Sequence, residues 1–197
     1  MAVELYWLPL GAGPGNAVVR ASGRAFEALV ARRQHRPRRD LYHSALVVSL
    51  DGARYVIEMA PVWRTVAADR GVVSEGPVGS PWLGRSRWFR YEVRCWRDGV
   101  LPDIAYAVAS PQLVSGDPAV ARRVLDLVAL FPCGVWGRDD FHTGEMWNSN
   151  SLTAWLLAAS GHDAGAIRLP AGGRAPGWSA GWEIACRSVD LMSCVNR

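Results

Sequence analysis

The stretch that decides the fold is LYHSALVVSLDGARYVIEMAP, from Leu41 to Pro61. Two runs rich in β-branched and aromatic residues flank Asp51-Gly52, and an Asp-Gly pair between such runs is a strong signal of a type I′ hairpin turn. If these two residues form the turn, Leu50 faces Ala53 and the pairing continues outward from there. The stretch therefore predicts an antiparallel β-hairpin.

This register gives the hairpin one apolar face and one mixed face. The apolar face, which is predicted to be buried, carries six side chains: Leu46, Val48, Leu50, Tyr55, Ile57 and Met59. On the mixed face Ala45 is opposite Glu58, so His43 and Glu58 are diagonal neighbours within reach of each other's side chains. A carboxylate beside a histidine fixes the tautomer of the ring and stabilises its charged form. His43 is therefore a candidate general base oriented by Glu58, and the alternative is an ordinary pair on one face of the sheet.

A second stretch, EMWNSNSLTAWLL from Glu145 to Leu157, places small polar residues at the mouth of an apolar helix. The first backbone N–H groups of a helix have no intrahelical partner and can hold a developing oxyanion. Ser149 is therefore a candidate nucleophile, provided that His43 lies within hydrogen-bonding reach of its hydroxyl. Asn148 and Asn150 would add side-chain hydrogen bonds. The alternative is that these polar residues only cap the helix.

The other segments complete a mixed fold. Periodicity predicts strands at Val3–Pro9 and within Trp82–Trp96. Periodicity and capping residues predict helices at Ala21–Gln34 and Asp117–Phe131, and a third helix that begins in the second stretch and ends before Gly161. Glycine and proline predict a turn at Gly11–Gly15 and a loop at Pro170–Trp178. Phe26, Leu29 and Val30 are predicted to be the buried stripe of the first helix. Strand and helix do not alternate regularly, which favours an antiparallel sheet packed against helices. The predicted class is α+β, in a single domain spanning residues 1–197 with its core at about 41–160.

The composition is that of a globular protein rather than of a disordered or membrane-spanning chain. Half of the 197 residues are apolar and a fifth are charged, and no apolar run approaches the roughly 20 residues that a bilayer span requires. The N-terminus lacks the basic region and the cleavage site of a secretory signal. The four cysteines match no zinc pattern, and no metal or other cofactor is expected. We therefore expect a cytoplasmic protein with reduced thiols and no membrane span.

The basic residues set the expectations about partners. All 22 of them are arginine and the net charge is +4, which permits an anionic partner without requiring one. The run RRQHRPRRD, from Arg32 to Asp40, lacks the interleaved aromatic residues of a nucleic-acid groove and is interpreted as a solvated surface. A small molecule or a peptide is therefore the expected partner, and nucleic acid is not. The composition indicates no particular oligomeric state.

Ten tryptophans are spread along the chain, and most of them are predicted to belong to the core or its edge. Trp147 and Trp178 lie in polar or glycine-rich surroundings and are predicted to line a substrate pocket. Arg174, in the same loop as Trp178, is a candidate partner for an anionic group of the substrate.

Three other groups compete with this site. His142 could act as the base instead of His43. Together with Asp139, Asp140 and Glu145, His142 could instead bind a divalent cation. Cys133 could be a thiol nucleophile, although it follows a helix C-terminus, where the helix dipole disfavours a thiolate.

The order of these elements resembles the circularly permuted branch of the papain-like superfamily. That branch includes the lecithin retinol acyltransferase-like enzymes and the PPPDE peptidases, and it is related to the NlpC-type cell-wall peptidases. In it a strand begins with histidine followed by small and apolar residues, as in YHSALVV from Tyr42 to Val48. A third polar residue lies on the next strand, where this chain has Glu58. A Cys-Asn-like pair later opens a helix rich in Trp and Leu, and Ser149-Asn150 occupies the corresponding place here.

The resemblance implies a permuted papain-like core that hydrolyses or transfers an acyl group of an amide or thioester. Ser149 would attack, His43 would be the general base and Glu58 would orient it. The residues expected to bind substrate are Trp147, Asn148, Asn150, Trp178 and Arg174. Serine stands where the family has cysteine, so it is an activated nucleophile, the mark of a degenerate site or a substitution.

A longer signature combines YHSALVV (Tyr42–Val48), VIEMAPVW (Val56–Trp63) and MWNSNSLTAWLL (Met146–Leu157). It also resembles a group of high-GC bacterial proteins of unknown substrate, in which the serine would be native. The alternative function is a catalytically inactive papain-like module that binds a peptide or a small molecule.

Overall fold

The Asp51-Gly52 hairpin is present with the predicted register. Strand β2 (Asp40–Leu50) pairs antiparallel with β3 (Ala53–Pro61), and the Cα partners run from Leu50 opposite Ala53 to Leu46 opposite Ile57. Asp51 and Gly52 have φ angles of 51° and 77°. Positive φ at both central residues is the signature of the type I′ turn, whose twist matches that of the flanking strands. The prediction of the hairpin is therefore confirmed.

The structure is a computed structural model that describes residues 1–13, 17–62, 69–163 and 166–195, with the side chains of residue 18 and of residues 188–195 not described. Trp63 and part of the turn predicted at Gly11–Gly15 lie outside these ranges.

Four more strands extend the hairpin into an antiparallel sheet. They are β1 (Ala2–Pro9), β4 (Val72–Pro77), β5 (Arg90–Arg97) and β6 (Gln112–Ser115), and the order across the sheet is β4-β5-β3-β2-β1-β6. A short strand, β7 (Gly173–Arg174), pairs in parallel with Asp40 and Leu41 at the start of β2. The hairpin therefore lies at the middle of the sheet, with neighbours on both sides.

The described helices are α1 (Ala17–Arg33), α2 (Pro118–Leu127), α3 (Ser149–Ala159) and α4 (Trp178–Val195). The last three contribute to one buried cluster with the sheet, which contains Leu46 and Val48 of β2 together with Leu156 of α3 and Ile184 of α4. The α+β class with an antiparallel sheet packed against helices is thereby confirmed. The cluster draws on residues from Val3 to Ala185, so it extends on both sides of the segment 41–160.

Several elements differ from the predictions. Among the described side chains of α1, Gly23, Glu27 and Ala31 are buried, while Phe26 and Val30 of the predicted stripe are half-buried. Leu29 is 53 % exposed, so its predicted burial is wrong. The C-terminal helix α4 was not predicted, because it follows the glycine-rich loop at once and Gly181 interrupts its apolar pattern. The strand predicted within Trp82–Trp96 is β5, and two 3-10 turns, Leu83–Arg85 and Arg87–Phe89, precede it. Asp117 caps α2 as expected, since its carboxylate accepts a 2.8 Å hydrogen bond from Ala119 N.

The opposite face of the sheet carries a smaller apolar cluster of Leu8, Ala45, Val47, Val56 and Leu101. The two faces of the sheet therefore have different environments, one under the helices and one under connecting segments. Among the helices of the described residues, none combines the length and the apolar character needed to cross a bilayer.

Candidate functional site

The start of α3 is a tightly bonded cap. The side-chain oxygen of Asn148 accepts hydrogen bonds from Asn150 N at 2.9 Å and from Ser151 N at 3.4 Å. In return Ser151 Oγ accepts a 3.1 Å hydrogen bond from Asn148 N, which completes a capping box. Asn148 also donates through Nδ2 to Pro176 O at 2.9 Å, and Ser151 Oγ donates to Gly177 O at 2.8 Å. Both side chains are therefore occupied by backbone partners.

Asn150 joins the helix to the sheet and to the 175–177 turn. Its Nδ2 donates to Tyr42 O at 3.0 Å and to Pro176 O at 2.9 Å, and its Oδ1 accepts a 2.9 Å hydrogen bond from Ser44 Oγ. Asn150 and Ser44 are 2 % and 1 % exposed. A buried amide with all these partners is a structural cross-link, because its polar atoms are satisfied internally. Asn148 and Asn150 are thus committed to the fold, and the prediction that they bind substrate gains no support from their contacts.

Gly177 and Gly181 also allow α4 to approach the start of α3 closely. A Cβ added to Gly181 would lie 2.1 Å from Ser151 O, and one added to Gly177 would lie 2.6 Å from Asn148 Oδ1. The backbones of α3 and α4 therefore touch at a point where no larger residue fits. This packing, together with the cap, accounts for the polar run at the mouth of α3.

Ser149 is the first residue of α3 and is 5 % exposed. Within the described residues its hydroxyl makes no hydrogen bond, while the hydroxyl of the neighbouring Ser151 makes several. Ser149 therefore occupies the predicted position at a helix N-terminus. His43, which was predicted to activate Ser149, is on the opposite face of β2 from α3.

His43 lies on the opposite face of β2 from α3. Side chains alternate along a strand, and Ser44 points to Asn150, so its neighbour His43 points away from the helix. The pairing agrees, because His43 is opposite Leu8 of the second apolar cluster, whereas Ser44 is opposite Trp7 of the main core. No break in the β1–β2 register interrupts this alternation. The strand alternation therefore does not bring His43 together with Ser149, and the predicted convergence of the two side chains gains no support from the pairing.

Glu58 lies on the same face of the sheet as His43, and its carboxylate accepts a 2.9 Å hydrogen bond from Arg94 Nη1. Arg94 also contacts Glu92 at 2.9 Å, and Arg70 donates to Glu92 at 2.7 and 2.5 Å. Glu92 and Arg94 are 0 % and 2 % exposed. Burial raises the pKa of Glu92, but the hydrogen bonds from Arg70 and Arg94 outweigh this effect and hold the pKa below its ordinary value. Glu58 is therefore part of a buried ionic network of alternating charges.

The other predicted substrate-binding residues pack or pair within the fold. Trp147 is 1 % exposed, stacks on Phe131 with a centroid distance of 5.0 Å and donates from Nε1 to Pro132 O at 3.1 Å. It is a core residue, and its predicted place in a substrate pocket gains no support from these contacts. Trp178 packs on Trp7 with ring centroids 5.0 Å apart. Arg174 lies 3.4 Å from Glu27 and 3.6 Å from Glu145, so an internal acid faces its guanidinium on each side.

The acidic residues of the alternative metal site also make hydrogen bonds within the fold. Asp139 accepts hydrogen bonds from Thr143 N and Gly144 N, each at 2.8 Å, and Asp140 accepts one from Val135 N at 2.7 Å. In the parts of the chain that are described, no three acidic, histidine or cysteine side chains are grouped as metal ligands. Cys133 is exposed, and its thiol lies 3.8 Å from Phe131 O.

A cavity lies beside α1, and Ser149 is not among its lining residues. It has a volume of about 550 Å³ and is bounded by the end of β1, by α1 and by the start of β2. Its lining residues are Pro9, Leu10, Gly11, Ala12, Arg20, Gly23, Arg24, Glu27, Arg38, Arg39, Asp40, Leu41 and Tyr42. Four arginines and two acids therefore face this space, which lies within the roughly 300–1,000 Å³ of small-molecule sites.

One buried carboxylate holds the walls of this cavity together. Glu27, which is 3 % exposed, accepts hydrogen bonds from Arg36 at 2.5 and 3.2 Å and from Arg39 N at 2.9 Å, and Arg174 lies 3.4 Å away. The hydrogen bond from Arg36 holds the pKa of Glu27 below its ordinary value. The charge of Glu27 is thereby balanced by arginines outside the lining, which leaves the lining itself positive.

The arginines of the lining fall into two groups. Arg20 donates from Nε to Gly11 O at 3.2 Å and so anchors the turn after β1. The guanidinium groups of Arg24, Arg38 and Arg39 make no ion pair or hydrogen bond with any described residue. These three cations are exposed and border the cavity, so they are available to a ligand.

The residue spacing in α1 is a sequence signal for this cavity. Arg20, Arg24 and Glu27 recur at helical spacing on one face of α1, and Gly23 lies between them. A Cβ added to Gly23 would lie 2.6 Å from Leu10 Cδ2, so glycine is needed where α1 meets the end of β1. The interpretation of residues 32–40 as merely solvated is accordingly incomplete, because Arg38 and Arg39 line the cavity.

Comparison of the chain with protein-family models, with curated proteins and with solved structures finds no match. The resemblance to permuted papain-like enzymes therefore stays a prediction from the quoted residues.

Proposed function

We propose that this protein is a non-catalytic binding module that holds an anionic small molecule, or the carboxylate of a peptide, in the arginine-lined cavity. The observation that carries the proposal is the set of three guanidinium groups at the cavity, Arg24, Arg38 and Arg39, which make no ion pair among the described residues. Guanidinium groups recognise carboxylates and phosphates through paired, charge-assisted hydrogen bonds.

The contrast with the start of α3 supports a binding role over acyl transfer. There the amides and the Ser151 hydroxyl are satisfied by buried backbone groups, and the histidine is on the other side of the sheet. A serine hydroxyl is a poor nucleophile without an adjacent base. Three guanidinium groups without an ion pair among the described residues therefore border the cavity beside α1, whereas the Ser149 hydroxyl lacks the histidine that would activate it.

Acyl transfer through Ser149 is a second candidate because of one observation. The Ser149 hydroxyl makes no hydrogen bond among the described residues and lies at the N-terminus of α3. This candidate requires a base other than His43. Covalent labelling of Ser149, described below, distinguishes it from the binding module.

The binding proposal is tested by calorimetric titration with inorganic phosphate and with citrate at low salt. Replacing Arg24 and Arg39 by Gln should weaken binding by about tenfold or more, because each lost charge-assisted hydrogen bond contributes about 1.5–3 kcal/mol. The matched control, Arg33→Gln with Arg97→Gln, removes the same charge from exposed sites away from the cavity and should bind as the wild type does. Equal weakening in both double variants, or no binding by the wild type, would contradict the proposal.

A further inference from the structure

Residues 81–90, which we name the aromatic loop, expose four large apolar side chains within eight positions. Trp82 is 75 % exposed, Trp88 66 %, Phe89 43 % and Leu83 42 %. Single exposed apolar residues are ordinary, but a group of this size marks a surface that contacts something other than water. This loop lies ahead of β5 and takes no part in the cavity beside α1.

The aromatic loop is held in one shape by its backbone. It consists of two 3-10 turns, Leu83–Arg85 and Arg87–Phe89, in which Ser86 N donates to Leu83 O and Phe89 N donates to Ser86 O, each at 2.9 Å. Val78 N also donates to Phe89 O at 2.8 Å and ties the end of the loop to the residue that follows β4. The peptide groups are thus satisfied locally while the apolar side chains point outward. Their exposure is a consequence of the folded shape of the loop.

The charge of the loop is entirely positive. Arg85, Arg87 and Arg90 lie among the aromatic residues, and residues 81–90 contain no acid. Arg90 pairs with Glu75 of β4, whereas Arg85 and Arg87 make no ion pair with any described residue. The guanidinium of Arg85 lies over the ring of Trp82 at 5.1 Å from its centroid. The partner of this surface should therefore offer negative charge beside an apolar phase.

We propose that the aromatic loop docks on the surface of an anionic lipid bilayer, with Trp82, Leu83, Trp88 and Phe89 at the headgroup–acyl boundary. Tryptophan favours that boundary because its indole ring is apolar and its N–H remains hydrogen-bonded. Arginines around an apolar tip pair with lipid phosphates and are attracted by anionic headgroups. Leu83 favours a bilayer over single-stranded nucleic acid as the partner, because base stacking uses flat aromatic faces and gains nothing from a branched aliphatic side chain.

Co-sedimentation of the full chain with vesicles tests this proposal. Vesicles of equal parts phosphatidylcholine and phosphatidylserine should bind the wild type, while vesicles of phosphatidylcholine alone should bind it weakly. The Trp82→Ala/Trp88→Ala variant should bind the anionic vesicles about tenfold or more weakly, because it loses the burial of two aromatic side chains. The control, Leu113→Ala/Leu130→Ala, removes apolar groups that are 66 % and 68 % exposed elsewhere, and its binding should equal that of the wild type.

The contribution of the arginine charges of the aromatic loop is tested in the same co-sedimentation assay. Arg85→Gln/Arg87→Gln should lose the preference for anionic vesicles, and Arg33→Gln/Arg97→Gln should keep it. Circular dichroism of each variant establishes that the fold is retained, which is expected because every substituted side chain is exposed. Equal binding of the tryptophan variant and its control, or no binding of the wild type to anionic vesicles, overturns the proposal. Binding of an oligothymidylate that depends on Trp82 and Trp88, without vesicle binding, overturns it in favour of single-stranded nucleic acid.

Discussion

Ser44 Oγ donates a 2.9 Å hydrogen bond to Asn150 Oδ1, and this contact determines which face of β2 meets α3. Because successive side chains of a strand point to opposite faces, the same contact directs His43 away from the helix. The strand thus directs the hydroxyl of Ser44 to the buried amide of Asn150, and it does not direct the imidazole of His43 to Ser149. The start of α3 is consequently a cross-link between the helix, the sheet and the 175–177 turn.

This cross-link predicts a large loss of stability on removal of the amide. Asn150→Ala should lower the free energy of unfolding by about 2–4 kcal/mol, because Tyr42 O and Ser44 Oγ lose a partner in a buried site. Ser44→Ala should cost about 1–2 kcal/mol, and the exposed Ser22→Ala control should be near neutral. Urea unfolding of the two single variants and the double variant gives the coupling energy. Additive effects at Ser44 and Asn150 would show that the contact contributes nothing.

The contact between α3 and α4 predicts an unusual result for a glycine in a helix. Gly181→Ala should destabilise the protein by about 1–3 kcal/mol, since the new Cβ would lie 2.1 Å from Ser151 O. In a helix without this contact the same change would stabilise by roughly 0.5–1 kcal/mol. Gly116→Ala, in the connection between β6 and α2, is the control for a new Cβ that meets nothing within 4 Å. Thermal unfolding of both variants is the measurement, and a gain in stability for Gly181→Ala would refute the close approach of the two helices.

The separation of His43 from Ser149 predicts an unreactive serine. A fluorophosphonate probe should not label the wild-type protein, and intact-mass spectrometry should detect no adduct, with an active serine hydrolase in the same reaction as positive control. Ser149→Ala should change the free energy of unfolding by no more than about 0.5 kcal/mol, because the hydroxyl makes no hydrogen bond among the described residues. Ser151→Ala, which removes the bond to Gly177 O, should cost about 1–3 kcal/mol. An adduct on Ser149 that disappears in His43→Ala would restore the acyl-transfer hypothesis.

The buried acids predict a loss of stability in acid. Glu27 and Glu92 both have pKa values below the ordinary 4.5, so ionisation of each contributes stability that is fully present above that pH. This contribution is lost as the pH falls through the lowered pKa of the folded state, because the unfolded chain takes up the protons more readily. Chemical denaturation between pH 7 and pH 2.5 should therefore show a decline that begins below about 4.5.

The variant Glu92→Gln distinguishes the protonation of this buried glutamate from general acid unfolding. It removes a partner of Arg70 and Arg94, so it should cost about 3–5 kcal/mol at pH 7 and should have a flatter pH dependence. Glu183→Gln, which disrupts only an exposed pair with Arg187, should keep the wild-type slope. An unchanged slope in Glu92→Gln would show that this network does not govern the acid response.

How far the sequence predicts this structure depends on the range of the forces involved. The Asp51-Gly52 turn and the Asp117 cap are local, and both were predicted because neighbouring residues decide them. The register predicted that His43 lies on the mixed face, but its position relative to Ser149 was not predicted, because the register does not specify where the start of α3 meets the sheet. Burial of Trp147 beneath Phe131 depends on the packing of remote segments, so its polar neighbours in the sequence were misleading.

The cavity was missed for a related reason. Its arginines come from α1 and from the segment before β2, and Glu27 brings these two parts of the chain together by accepting hydrogen bonds from Arg36 and from Arg39 N. A charge run by itself is most often solvated, and nothing within residues 32–40 indicates that two of its arginines face a glycine-lined space.

The central claim, that the ligand site is the arginine-lined cavity and not the start of α3, is tested most directly by nuclear magnetic resonance. The measurement follows the Arg Nε–Hε signals and the backbone amides of the ¹⁵N-labelled protein during titration with inorganic phosphate. We expect saturable shifts of Arg24 and Arg39 together with the amides of Gly11 and Ala12, while the amides of residues 149–151 stay unchanged. Shifts at residues 149–151 with none around the cavity would contradict the account.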